Sequence, residues 1–162
     1  MEQNHQGHGK QSNNMQRHHY WMLAVNLGLS LLVMYVAMFA MIWSFGEFIQ
    51  NVNFLYMALV MWAPMAIVML LTMKSMYRDK RLNVILYAVF GLTLVLSFAA
   101  IRAQSLVGDR QFLRSMIPHH SGAILMCEKA KISDPEIQQL CAEIIAGQRA
   151  EIDQMKAILE RK

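Results

Sequence analysis

Three stretches without a single Lys, Arg, Asp or Glu, at 18–46, 48–73 and 82–101, constrain this chain more than any other feature of its sequence. Each can hold a helix of about 20 residues, the length that crosses a hydrocarbon core of about 30 Å. The reading is three transmembrane helices, roughly 21–43, 54–73 and 82–101. Tyr20, Trp21 and Trp43 stand at the ends of the first, where interfacial aromatics belong. Composition agrees: 56% of the 162 residues are hydrophobic, 16% are charged, and the mean hydropathy is +0.28. A disordered chain needs few apolar residues, and an ordinary soluble domain is about 25% charged; both classes are excluded. The first apolar run is too long for a cleaved signal peptide, follows a polar tail and precedes no A-x-A site, so it is expected to remain as an anchor.

Orientation follows from the loops. Segment 44–53 has no Lys or Arg, whereas 74–81 carries Lys74, Arg78, Lys80 and Arg81. Basic loops stay inside, which places the N-terminus in the cytoplasm and the C-terminal segment outside. In a bacterial inner membrane that outside is the oxidising periplasm. The net charge of +4, from 15 Lys+Arg against 11 Asp+Glu, is the mark of such loops and does not call for nucleic acid. None of the three spans contains an ionisable acid or base of the kind a proton-coupled pump needs. There is no nucleotide-binding loop.

From Asp109 the character changes to two amphipathic helices, a module at 109–162. Asp109 is the expected N-cap of the first, and Lys129 and Lys131 suit its C-terminal end. Ser133-Asp134-Pro135-Glu136 opens the second, either with Asp134 as cap and Pro135 at the first helical position, or with a Ser133–Glu136 capping box. A short turn makes the two antiparallel. So small a hairpin buries little core alone and needs a metal, a disulfide or a partner. Two copies pairing into a four-helix bundle, a homodimer, is the expected solution.

On the first of these helices Met116, His120, Ala123 and Cys127 share a sector of about 60°, with His119 and Met126 on an adjacent strip. On the second, Gln148, Glu151, Ile152 and Met155 share a face. Together they predict an inner face of imidazole, thioether and one carboxylate. Pro118, Ser121 and Gly122 break helix propensity around the histidine pair, as functional sites do. Spacing alone leaves open whether the histidines ligate an ion or simply hydrogen-bond on the helix surface.

The stretch Phe112-Leu113-x-x-Met116-Ile117-x-His119-His120-x-x-Ala123-Ile124-x-Met126, followed by Ile144-x-x-x-Gln148-x-x-Glu151-Ile152-x-x-Met155, resembles the domain of unknown function 305 family over about 109–160. The resemblance implies a ferritin-like helical bundle, and implies periplasmic copper or silver binding, as in some members. It places Met116, His119, His120, Met126, Gln148, Glu151 and Met155 at motif positions without saying which touch metal. The three membrane helices lie outside it. Thioethers favour Cu(I) and Ag(I) over Zn, Mg or Fe(III). A di-iron carboxylate centre wants several Glu and Glu-x-x-His repeats, and only Glu151 is offered. Cys127 and Cys141 flank the turn where, in the family pattern, Ala is usual; a disulfide across the hairpin, thiolate ligation and two free thiols are the three readings.

Elsewhere, Met57, Met61, Met65, Met69 and Met73 recur every fourth residue on the second membrane helix, with Met34, Met38 and Met41 on the first. They are either a thioether path or adaptable apolar packing. Trimeric copper-uptake channels share Met-x-x-x-Met on the second of three helices, as Met57 and Met61 do. The third helix here lacks Gly-x-x-x-Gly, and the orientation is inverted. The polar tail 1–20, with His5, His8, Met15, His18 and His19, is expected to be disordered, with a weak His-rich site as the alternative to plain solvation.

The expectation is an all-α, membrane-anchored protein that holds Cu(I) or Ag(I) outside the membrane, for buffering, resistance or delivery to copper-handling partners. The alternatives are a component of a metal transport path and a metal-free oligomerisation module. No nucleophile–base pair points to an enzyme.

Overall fold

A computed structural model describes residues 5–162, with side chains from Met15 onward. The described residues form five α-helices and contain no strand: α1 His5–Ala37, α2 Val52–Thr72, α3 Lys80–Ala103, α4 Asp109–Lys129 and α5 Pro135–Arg161, with a 3-10 turn at Phe45–Glu47. Within α1–α3, Met15–Ala37, Val52–Thr72 and Lys80–Ala103 are long and apolar enough to cross a membrane. The chain is therefore an all-α membrane protein.

Two boundaries differ from expectation. α1 begins at His5, inside the segment expected to be disordered; extending an existing helix is far cheaper than nucleating one. It also ends at Ala37 instead of running to 43. The chain then closes 3-10 type turns, with Phe39 N–H donating to Val36 O at 3.0 Å and Ile42 N–H to Phe39 O at 3.2 Å. Ser44 caps the next turn by accepting from Gly46 N–H at 3.3 Å, and Glu47 returns to Ser44 N–H at 3.3 Å, a capping box. Trp43 is consequently not an end-of-helix anchor.

The chain forms two compact units, one running to Met34 and taking up Met57–Ala100, the other comprising Tyr35–Tyr56 and Ile101–Lys162. In the first, Leu23, Leu27, Ala63, Ala66, Leu70, Tyr77 and Phe90 form the core. The small Ala63 and Ala66, both fully buried, allow close helix approach. Trp62 Nε1 donates to Leu27 O at 2.8 Å, and its ring meets Phe90 edge-on with centroids 5.3 Å apart.

In the second unit α4 and α5 form the antiparallel hairpin, with Leu113, Ile117, Ile124, Ile152 and Met155 as its core. The segment 38–51 between α1 and α2 lies along it as a strap. Phe39 anchors the strap, buried against Tyr35, Phe48 and Phe54 with ring centroids 5.7, 4.1 and 4.9 Å away. One cap differs from expectation and one resolves a choice that the sequence leaves open. Gly108, not Asp109, is the N-cap of α4 and offers no side-chain bond. Asp134 caps α5, accepting from Glu136 N–H at 2.8 Å and Ile137 N–H at 3.2 Å, with Pro135 at the start.

Candidate metal centre

The buried strip of α4 runs through Leu113, Ile117, Ser121 and Ile124. That strip is rotated from the expected inner face. Met126 is 59% exposed, His119 is exposed, and the Glu151 side chain is 54% exposed. The reason is that α4 has two neighbours, not one. The strap covers one flank and α5 the other, so the buried arc centres between them. Placing His119, Met126 and Glu151 inside assumed α5 alone.

Of the seven motif residues, Met155 is buried in the hairpin core, and Met116 packs against the same core while half-buried. Gln148 is half-buried on α5. His120, 14% exposed, has Nδ1 2.9 Å from Glu151 Oε2. The carboxylate oxygen lies off the ring N–H direction, so this buried nitrogen has no aligned hydrogen-bond partner. Burial pushes the His120 imidazole below its ordinary range; the Glu151 carboxylate pulls it back up and His119 adds to the lowering. The His119 and His120 rings stand 6.0 Å apart, tilted by 59°. His119 and Met126 are not brought to His120 within the hairpin. Among the described residues no three His, Cys, Asp or Glu side chains converge as a metal group.

The exposed donors follow a pattern. Phe112, Met116, His119, Ala123 and Met126 are spaced 4, 3, 4 and 3 residues apart, the register of a helix–helix seam. Phe112, His119 and Met126 are exposed along it. On α5, Ile137 and Leu140 are exposed large apolar side chains.

Sequence reading missed the strap's side of α4. Glu47 is 5% exposed. Its Oε2 accepts from the Ser121 hydroxyl and from Ser44 N–H, and Lys156 Nζ lies 3.5 Å from Oε1. Ser121, fully buried, in turn accepts from Trp43 N–H at 2.6 Å. Trp43 Nε1 donates to Glu128 Oε2 at 2.6 Å, Arg149 holds the other Glu128 oxygen at 2.6 Å, and the Arg149 guanidinium sits 5.0 Å over the Trp43 ring. Ser121 therefore breaks helix propensity to receive the strap, and Gly122 lies directly beneath it. The available signal was Glu47 itself, the sole charge between Arg17 and Lys74. A lone acid between apolar spans calls for a named partner.

Cys127 and Cys141 form a disulfide with Cα atoms 5.2 Å apart, joining α4 to α5 beside the turn. The methionine stripe of α2 divides: Met65 and Met69 pack on the first unit's core, while Met57, Met61 and Met73 are exposed. His19 Nδ1 lies 3.3 Å from Met76 O. The side chains of His5 and His8 lie outside the described residues.

The family model described as Domain of unknown function (DUF305) matches residues 96–159. It thus takes in the end of α3 as well as the hairpin, more than the motif alone implied. An uncharacterized protein, L153, of Acanthamoeba polyphaga mimivirus is 35% identical over 121 residues, covering 74% of this chain and 78% of the relative. That alignment is too long for the hairpin and reaches into the membrane helices. No solved structure matches.

Proposed function

We propose, taking as premise that the chain belongs to the DUF305 family, that it is a membrane-anchored binder of soft monovalent metal, Cu(I) or Ag(I), for buffering, resistance or delivery. The observation that carries this reading is His120, a largely buried imidazole whose Nδ1 meets only the Glu151 carboxylate, beside His119 and one helical turn from Met116. Met155, on α5, shares the core against which Met116 packs. Thioether donors suit soft ions, whereas hard ions prefer carboxylate and carbonyl oxygen. Met126, Gln148 and Glu151 complete the donor set. Two hairpins meeting along the exposed seam of Phe112, His119 and Met126 would make the ferritin-like four-helix bundle of a homodimer, the copies sharing donors.

The hairpin stands outside the membrane on this reading. The basic Lys74–Arg81 loop supports a cytoplasmic position for the opposite end. The Cys127–Cys141 disulfide suits an oxidising compartment such as the periplasm outside a bacterial inner membrane.

The test is titration of the full chain in detergent with Ag(I), or with Cu(I) under a competing chelator, comparing wild type with His119→Ala/His120→Ala. Changes around a metal ligand alone cost about 10–100-fold in affinity. Removing both imidazoles is therefore expected to cost at least about 100-fold. Equal affinity in the two proteins overturns the reading.

A further inference from the structure

The strap brings one more soft donor to the hairpin. α1 stops at Ala37, and the turn that follows carries Met41 out of the apolar run in which sequence reading had placed it. Two residues later Trp43 N–H is fixed to the buried Ser121 hydroxyl at 2.6 Å. A Cβ built on Gly122 would lie 3.6 Å from Met41 O and 3.8 Å from Met41 Cβ. Alanine would fit there in ordinary contact, and anything longer would meet the strap. Met41 thus rests on α4 at Gly122, three residues after His119 and four before Met126. On a helix those positions are neighbours, with Cβ atoms about 5–6 Å apart. Phe39 of the same strap is buried and spends its side chain on the aromatic cluster, but Met41 is 51% exposed and is free of the core. A flexible thioether at a pinned backbone position, one helical turn along α4 from an exposed imidazole and an exposed thioether, has the chemistry of a ligand to a soft cation.

We infer that Met41 is a ligand of the soft-metal site, supplied by the strap to the His119–Met126 strip of α4. The inference rests on the soft-metal reading of the hairpin and adds a donor from outside its motif. It also gives the strap a role: the Trp43–Ser121 and Ser121–Glu47 bonds hold the Met41 backbone in place, so the donor is positioned before the ion arrives.

The experiment uses the full chain in detergent, with methionine methyl groups carrying carbon-13 and Ag(I) as the probe. Met41→Leu keeps size and apolarity, assigns the Met41 methyl resonance, and is expected to weaken Ag(I) binding about tenfold, the lower end of what a change at a metal site costs. In wild type the Met41 methyl is expected to shift with Ag(I) and to saturate together with the binding curve. Wild-type affinity in Met41→Leu overturns the assignment. So does a loss of affinity while the wild-type Met41 methyl stays still on adding Ag(I), because the loss then reflects packing. If His119→Ala/His120→Ala still abolishes binding in either case, the soft-metal reading survives without Met41. If that double variant binds Ag(I) like wild type, the reading falls and Met41 falls with it.

Discussion

The membrane helices and the hairpin expose opposite kinds of side chain. In α1–α3 the fully buried positions include Ala58, Ala63 and Ala66, while Leu29, Val33, Leu92 and Leu96 lie open. In the hairpin the buried positions include Leu113, Ile117, Ile124 and Ile152, and the exposed ones include Glu128, Arg149 and Glu151. Lipid is as apolar as a leucine, so the membrane helices can leave large aliphatic side chains facing outward at no cost, while small ones at the contacts let the backbones approach closely. Water gives the hairpin the opposite preference. Total apolarity therefore locates a membrane helix but says little of its packing face. In the hairpin the periodicity of apolar residues carries that information.

The largest break of this comparison is Ile117→Ala. Ile117 is fully buried between the strap and α5, and truncating a buried isoleucine costs about 2–5 kcal/mol through lost transfer energy and a residual cavity. Leu92→Ala removes a similar volume from a side chain that is 59% exposed on α3 and is expected to cost well under 1 kcal/mol, because lipid fills the space. Denaturant unfolding followed by hydrogen exchange at α4 amides measures both. Equal losses at the two positions would erase the distinction between the units.

How much could be read beforehand divides along the same line. The three spans were legible because 18–46, 48–73 and 82–101 contain no charge, a property of composition that needs no partner. The two hairpin helices were legible from their apolar spacing, and Asp134-Pro135 from cap chemistry. The end of α1 was not, since Met38–Trp43 is as apolar as the helix before it; what stops the helix is the docking of Trp43 and Glu47 on Ser121, residues far away in the chain. The same contact hid the true inner face of α4. Periodicity gives the width of a buried arc, but its centre depends on every neighbour, and the strap was not known to be one. The side of α4 that carries His119 and Met126 was thereby misplaced, as was Glu151 on α5, whose carboxylate meets His120 from the rim at 2.9 Å.

Ser121→Ala sharpens the comparison within the hairpin's own helix. The hydroxyl is the link between Trp43 N–H and the Glu47 carboxylate, both of which lose a partner in the variant. A polar group left buried without its hydrogen bond costs about 1–3 kcal/mol. Ser44 N–H and Lys156 remain near the carboxylate and limit the damage. The expected loss is therefore near the lower end of that range, with faster amide exchange confined to 38–51 at first. Unchanged exchange in the strap would mean that Ser121 does not hold it.

The smallest effect lies where the hairpin's ends meet. Lys162 donates to the Asp109 carboxylate, linking the start of α4 to the end of α5. That hydrogen bond, together with the charge of Lys162, holds the Asp109 pKa below its ordinary value. A carboxyl whose folded pKa is depressed contributes stability above its unfolded pKa, about 3.9, and loses the contribution as pH falls through the lower folded value. The pair is fully open to water, so salt screens it and its weight on overall stability is slight. Lys162→Ala is expected to return the Asp109 titration, followed by the carboxyl carbon-13 resonance, toward the ordinary carboxylate range. Adding salt to wild type should move it the same way. An Asp109 titration that neither change moves would show that the two ends do not pair in solution, and would leave the closure of the hairpin to its apolar strip, the Cys127–Cys141 bond and the Arg149–Glu128 and His120–Glu151 contacts.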